Sequence, residues 1–247
     1  MAFTVPGVIG NPIVANDYTQ RIRQSPGLIG WYTAVQRAQL NDPATLLVPR
    51  AGAALLEMVG TSRWVAQGGE QVSNFIEGSV DYWRSPVLTM PGSNQLSIVC
   101  AMNPATTFVE PWGLLFSGGA RLWLKPAHGV NNNGLDYLPA GSGTTTAIST
   151  GANAIPAGSP GFVTVSIDFN TGTVRYQSNS ETIYTVTHAG LTDIAGSATV
   201  QAFVGMGRTV HPFVGKIMEW AWFSRPIFND TATLNLIDEY MATVWSI

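Results

Sequence analysis

The stretch Gly215-Lys-Ile-Met-Glu-Trp-Ala-Trp-Phe-Ser-Arg-Pro-Ile-Phe228, followed by Asn229 to Trp245, decides the fold. It reads as a strand, a tight turn at Arg225-Pro226 and one closing helix. Alternation places Ile217, Glu219, Ala221 and Phe223 on one face of the strand, and Met218, Trp220 and Trp222 on the other. Both faces are mostly apolar, so the strand is expected to lie between two layers. Asn229 is expected to N-cap the helix, with Asp230 in its first turn, where a carboxylate complements the helix dipole. Leu234, Ile237, Met241 and Val244 recur at helical spacing and give the helix one apolar face.

Working outward, composition sets bounds. A chain of 247 residues can bury roughly 70% of its unfolded surface, enough for a self-sufficient core. Charge is sparse at 11%, aromatics reach 10%, and 26 glycines with 15 prolines supply turns. Low hydrophobicity with high net charge marks disorder, and this chain has neither. A net charge of -3 provides no basic field for nucleic acid. Lys125 and Lys216 are the only lysines, so arginine carries the positive charge; it suits desolvated assembly contacts, and codon bias explains the same count. Cys100 is the only cysteine and sits in the apolar run Leu96 to Met102, where it reads as a small buried hydrophobe. No apolar stretch approaches the roughly 18 residues of a membrane span. Met1 to Gln24 shows neither a basic leader nor an apolar core, so no signal peptide is expected.

Strand signals follow one another from Gln95 onward. Leu96–Met102 is a continuous apolar run of the kind buried on both faces. Gly113–Phe116 and Arg121–Leu124 flank Ser117-Gly-Gly119, a hairpin turn. Gly141 to Gly151 reads as a loop or an exposed strand. Val163, Val165, Ile167 and Phe169 alternate with Thr164, Ser166 and Asp168, the pattern of a half-buried strand. Asn170-Thr-Gly172 turns it into Thr173–Gln177. Thr182–Thr187 and Thr199–Gly205 add two more strands. Ala51 to Val59 fits a short helix or a strand. No helix punctuates the strand series, so two stacked antiparallel sheets fit better than a parallel architecture. Residues 1–26 are different: Pro6, Gly7, Gly10 and Pro12 interrupt any period, which reads as an extended N-terminal arm. Such an arm either packs on its own domain, residues 27–247, or docks on a neighbouring subunit.

The closing strand and helix, the opening string Leu28, Gly30, Trp31 and Ala34, and the Phe162–Gln177 hairpin together resemble the concanavalin A-like lectin/glucanase superfamily, in its laminin-G-like branch. The resemblance implies an all-β antiparallel jelly-roll sandwich with one C-terminal helix. Modules of this branch are frequent in bacteriophage structural proteins, and sugar binding and calcium occur in the superfamily.

Glucanases of the superfamily carry a Glu-x-Asp-x-x-Glu strand, because hydrolysis needs two carboxyls about 5–5.5 Å apart, or wider for inversion. No such string occurs, and Glu219 stands alone, as a structural hydrogen-bonding group paired to a backbone amide or an arginine would. Glu77 and Asp81 lie in a loop-like stretch and read as solvated. His128, His188 and His211 have no ligand partner at zinc spacing, and neither a Gly-x-Ser-x-Gly elbow nor a phosphate loop occurs. Asn131, Asn133 and Asp136 offer hard oxygens for a calcium ion, which needs six to eight; the same string also makes a plain turn. For sugar, Trp112, Trp123 and Tyr137 lie near turns beside Asn133 and Asp136, while Trp31, Trp220, Trp222 and Trp245 are assigned to the core. The sequence therefore leads to a non-enzymatic subunit of a bacteriophage virion, a decoration, tail or adhesin protein, assembled with other virion subunits through residues 1–26 and expected to be a homo-oligomer. The alternative is a lectin-like module for host-surface glycan, and a degenerate glycosidase ranks third. No cofactor is required, and neither nucleic acid nor a membrane is an expected partner.

Overall fold

The structure, a computed structural model, describes residues 18, 20–33, 46–47, 51–52, 56–60, 64–67, 70–75, 81–107, 110–125, 134–150, 154–208 and 211–247. Two antiparallel sheets stack as a sandwich. The first runs β16(Tyr184–Thr187), β15(Thr173–Ser178), β14(Gly161–Asp168), β9(Gln95–Pro104), β20(Gly215–Phe223), β1(Leu28–Thr33), β3(Ala51–Gly52), with β6(Glu70–Phe75) on β20 and β5(Trp64–Gln67) on β6. The second runs β13(Thr146–Ser149), β12(Gly134–Leu138), β11(Arg121–Lys125), β10(Trp112–Phe116), β17(Thr199–Val204), β7(Tyr82–Arg84), β4(Leu56–Val59), β2(Leu46–Leu47), with β8(Leu88–Thr89) also on β17. A small hairpin, β18(Met206–Arg208) with β19(His211–Pro212), follows β17, and β18 lies against β10 and β11. The all-β sandwich expected from the alternating runs is thus present, and the Ala51–Val59 stretch resolves as two strands.

The core between the sheets is continuous, from Leu96, Ile98 and Cys100 of β9 to Leu114, Leu122, Leu135 and Val204 opposite. Burial holds the Cys100 thiol far above its ordinary pKa, so this cysteine is inert. A second cluster covers the other face of the first sheet. Val99, Ala101, Phe162, Met218 and Phe223 meet Leu236, Ile237 and Tyr240 of the helix α1(Thr231–Tyr240) there. Being covered on both sides, β14 is buried along almost its whole length. Thr164 and Ser166, the polar half of its alternation, are therefore buried, and Ser166 hydrogen-bonds Ser97 at 2.5 Å. The sequence expected one solvated face; the layer beneath α1 removes it.

Three local expectations change. The alternation of β20 breaks at a bulge, where Ile217 to Glu219 oppose only Met102 and Ala101. Met218 is the extra residue, so Ile217 joins Trp220 and Trp222 in the inter-sheet core while Met218 joins Ala221 and Phe223 under α1. The helix cap is Asp230 rather than Asn229: a 3₁₀ turn over Ile227–Asn229 uses up Asn229, and the Asp230 side chain accepts from Thr233 N–H at 3.1 Å. Asp81 is buried, not solvated. At the N-terminus, residues 18 and 20–23 are helical, and Ile22 packs into the cluster under α1 with Tyr18 against it. Residues 1–17, most of the expected arm, lie outside the described residues, as do Glu77, His128, Asn131 and Asn133.

Candidate functional site

The second sheet has one face in the core and one turned away from it. Register carries a single row of outward positions across seven strands. Ala147 pairs with Asp136, Asp136 with Trp123, and Trp123 with Gly113. Gly113 pairs with Phe203, Phe203 with Arg84, and Arg84 with Glu57. Their sequence neighbours Leu114, Leu122, Leu135 and Ala202 point into the core, as a period of two requires.

The row has two unlike halves. In the first, Trp123 is fully buried and Asp136 nearly so, with Lys125 Nζ in an ion pair with Asp136 Oδ2. The other carboxyl oxygen of Asp136 is buried without a hydrogen-bond partner. In the second half Glu57 is exposed and its neighbours are partly exposed. Tyr82 and Phe203 are partly exposed, with ring centroids 5.7 Å apart at 57°. Beside them Arg84 Nη2 donates to Glu57 Oε2 at 2.8 Å, with side chains 40% and 59% exposed. Hydrogen bonding to Glu57 holds the Arg84 guanidinium above its ordinary pKa. The result is an aromatic surface flanked by a planar donor fork and a carboxylate acceptor, half wet and half dry.

The residues singled out in the sequence fall elsewhere. Trp112 and Tyr137 point into the inter-sheet core and are fully buried. Burial, with Asp193 nearby, raises the pKa of Tyr137. Trp123 is on the outward face but covered, so none of the three presents a ring to solvent. Proximity to a turn does not decide exposure; strand parity does, because Arg121, Trp123 and Lys125 alternate with core residues. For calcium, Lys125 already occupies one oxygen of Asp136, and Asn131 and Asn133 are outside the described residues. Among the described residues no three His, Cys, Asp or Glu side chains gather as a metal-binding group. Tyr82, Phe203, Arg84 and Glu57 were missed in the sequence. The Tyr-Trp-Arg alternation of β7 is a usable signal for the first and third; nothing short of the sheet order joins them to Phe203.

Glu219, the carboxylate weighed for catalysis, is 1% exposed. Its Oε2 accepts from Trp31 Nε1 at 2.9 Å and Thr33 Oγ1 at 3.0 Å. Its Oε1 accepts from Tyr240 Oη at 2.5 Å and Trp245 Nε1 at 3.2 Å. Through these four side chains it ties β1, β20 and the C-terminal turn together, a structural hydrogen-bonding role as the sequence expected.

No family model matches the sequence, and no curated protein does. The fold is similar to that of domain 4 of AbnA, a GH43 extracellular arabinanase from Geobacillus stearothermophilus, in complex with arabinotriose. That match has 19% identity over 79% of this chain and 91% of the other, with a TM-score of 0.55. A sialidase from Trypanosoma rangeli matches at 11% identity and a TM-score of 0.57, over 93% of this chain and 38% of its own. At these identities the likeness is one of fold, consistent with a concanavalin A-like sandwich.

Proposed function

We propose that this chain is a carbohydrate-binding module without hydrolytic activity, and that sugar lies on the outward face of the second sheet at Tyr82, Phe203, Arg84 and Glu57. The observation that carries this reading is the partly exposed aromatic pair beside the Arg84–Glu57 ion pair. A pyranose or furanose offers an apolar C–H face to a ring and hydroxyls to a planar fork, and this cluster supplies both partners side by side. The arabinotriose complex of the similar arabinanase domain supports the class of ligand. Hydrolysis does not suit the row. Its other carboxylate, Asp136, is five strands from Glu57, roughly 24 Å at the usual strand spacing, and two carboxylates must stand within about 10 Å to cleave one glycosidic bond.

A glycan array followed by titration tests the site. Tyr82→Ala and Arg84→Ala are each expected to weaken binding about tenfold, or 1.4 kcal/mol, with unchanged melting temperature. An array without a hit, or binding indifferent to both substitutions, sinks the proposal. The laminin-G-like virion subunit remains compatible, since an attachment protein meets cell-surface glycan. Its support is the sparse charge and the two lysines in 247 residues, which suit surfaces covered by other subunits.

A further inference from the structure

Arg84 and Glu57 are register partners on β7 and β4, and their contact uses one nitrogen and one oxygen, Nη2 and Oε2 at 2.8 Å. Neither side chain makes another hydrogen bond or ion pair among the described residues. Nε and Nη1 of Arg84 and Oε1 of Glu57 are therefore unused, on side chains that stand open to solvent. The pair offers donors and an acceptor side by side, and it offers them without net charge.

That neutrality bears on which sugars fit. A hydroxyl both donates and accepts, so two hydroxyls on adjacent ring carbons satisfy the pair together. One donates to Glu57 Oε1 while its neighbour accepts from Arg84. The carboxylate of a uronic or sialic acid can only accept. To reach Arg84 it must stand beside Glu57, with two like charges about 4–5 Å apart, and their repulsion at a protein surface is equivalent to about tenfold or more in affinity.

The other cations of this face do not relieve the repulsion. Lys125 is already paired with Asp136. Arg121 shares the outward parity of Trp123 and has no ion-pair partner among the described residues. Three strand spacings separate its strand, β11, from β7, roughly 14 Å, which exceeds the screening length of about 8 Å at physiological salt. Glu57 is thus both a contact for neutral sugars and a repulsive element against acidic ones, the two-sided arrangement by which specific sites discriminate.

We infer that the site at Tyr82, Phe203, Arg84 and Glu57 takes a neutral sugar with two adjacent free hydroxyls, and that Glu57 excludes uronic and sialic acids from it. The inference rests on the sugar-binding reading above. Its test is an array of neutral, uronic-acid and sialylated glycans, followed by titration of the full chain at about 50 mM and about 0.5 M salt. Wild type is expected to bind neutral glycans, with less than about a twofold change between the two salt concentrations. Glu57→Gln keeps an acceptor oxygen but leaves Arg84 uncompensated. Acidic glycans should then gain at least about tenfold, a gain that shrinks at high salt, while neutral ones weaken a few-fold as a charge-assisted acceptor becomes a neutral amide. The lost ion pair is exposed, so this variant is expected to melt with wild type. A wild type that prefers acidic glycans, a Glu57→Gln variant that gains nothing on them, or binding that survives methylation of the glycan hydroxyls each overturns the inference. In those cases loss of the bound glycan in Arg84→Ala would still uphold the sugar site itself. An array with no hit of either class sinks the sugar-binding reading, and this inference with it.

Discussion

Substituting Glu219 by glutamine changes one atom and reverses one hydrogen-bond polarity at the most connected buried side chain described. Four donors converge on the two carboxyl oxygens, an indole and a hydroxyl on each. In Glu219→Gln one oxygen becomes an NH₂ group. A hydroxyl can rotate and accept from it; an indole cannot. Whichever way the amide turns, one indole N–H, of Trp31 or of Trp245, faces another donor. The stranded N–H costs about 1–3 kcal/mol. Replacing charge-assisted bonds by neutral ones adds roughly 1 kcal/mol. The expected loss is about 2–4 kcal/mol, or roughly 5–15 °C in melting temperature for a chain of this length. Circular dichroism melts and urea titration measure it. The diagnostic is a double-mutant cycle with Trp245→Phe. In the glutamine background that substitution removes the donor conflict, because the NH₂ group then no longer faces an indole and Tyr240 can rotate to accept from it, so it should be markedly less costly than in wild type. Glu219→Gln within 0.5 kcal/mol of wild type, or Trp245→Phe equally costly in both backgrounds, would refute the reasoning.

Two further outcomes follow from the helix and the N-terminus. Asp230 caps α1 and pairs with Arg225, which with the Thr233 hydrogen bonds lowers its pKa from 3.8 to about 2. Because the folded pKa is depressed, its contribution is complete above about pH 4 and is lost as pH falls toward 2. With the side chain 22% exposed, screening reduces the electrostatic part to roughly 1 kcal/mol. Asp230→Ala should therefore cost about 1–2 kcal/mol at neutral pH, and the gap to wild type in urea melts should shrink below pH 4; a gap constant from pH 7 to 2 would contradict this. Deletion of residues 1–17, which spares the buried Ile22, should leave thermal stability unchanged and convert an oligomer to a monomer in light scattering if the arm joins subunits. Identical mass before and after deletion would remove that role.

The sandwich was legible because its signals are local. Leu96–Met102, Val163–Phe169, Thr173–Gln177 and the closing strand each show their own period or apolar run, and Gly118 and Gly119, at φ +91° and +93°, mark the β10–β11 turn without reference to anything distant. What the sequence did not yield depends on pairing between remote segments. Thr164 and Ser166 look solvent-facing until α1, some 70 residues later, is laid over their sheet. Met218 looks like an ordinary member of an alternating strand until β9 is placed beside it one residue short. The candidate site is the extreme case. Glu57 and Phe203 are 146 positions apart and meet only because β4, β7 and β17 are neighbours in the sheet, an order that no local period encodes. Trp112 and Tyr137 lie near turns yet fall in the core, because a side chain's exposure follows the parity of its strand and the layer above it. Parity was readable: Tyr82 and Arg84 bracket the buried Trp83, and Arg121 and Lys125 bracket an outward Trp123. The burial of Trp123 was not, because parity gives the face of a side chain and not what lies over it. In a sandwich of this kind, strand parity applied to every aromatic, followed by sheet order, is the step from a fold that can be read to a site that can be tested.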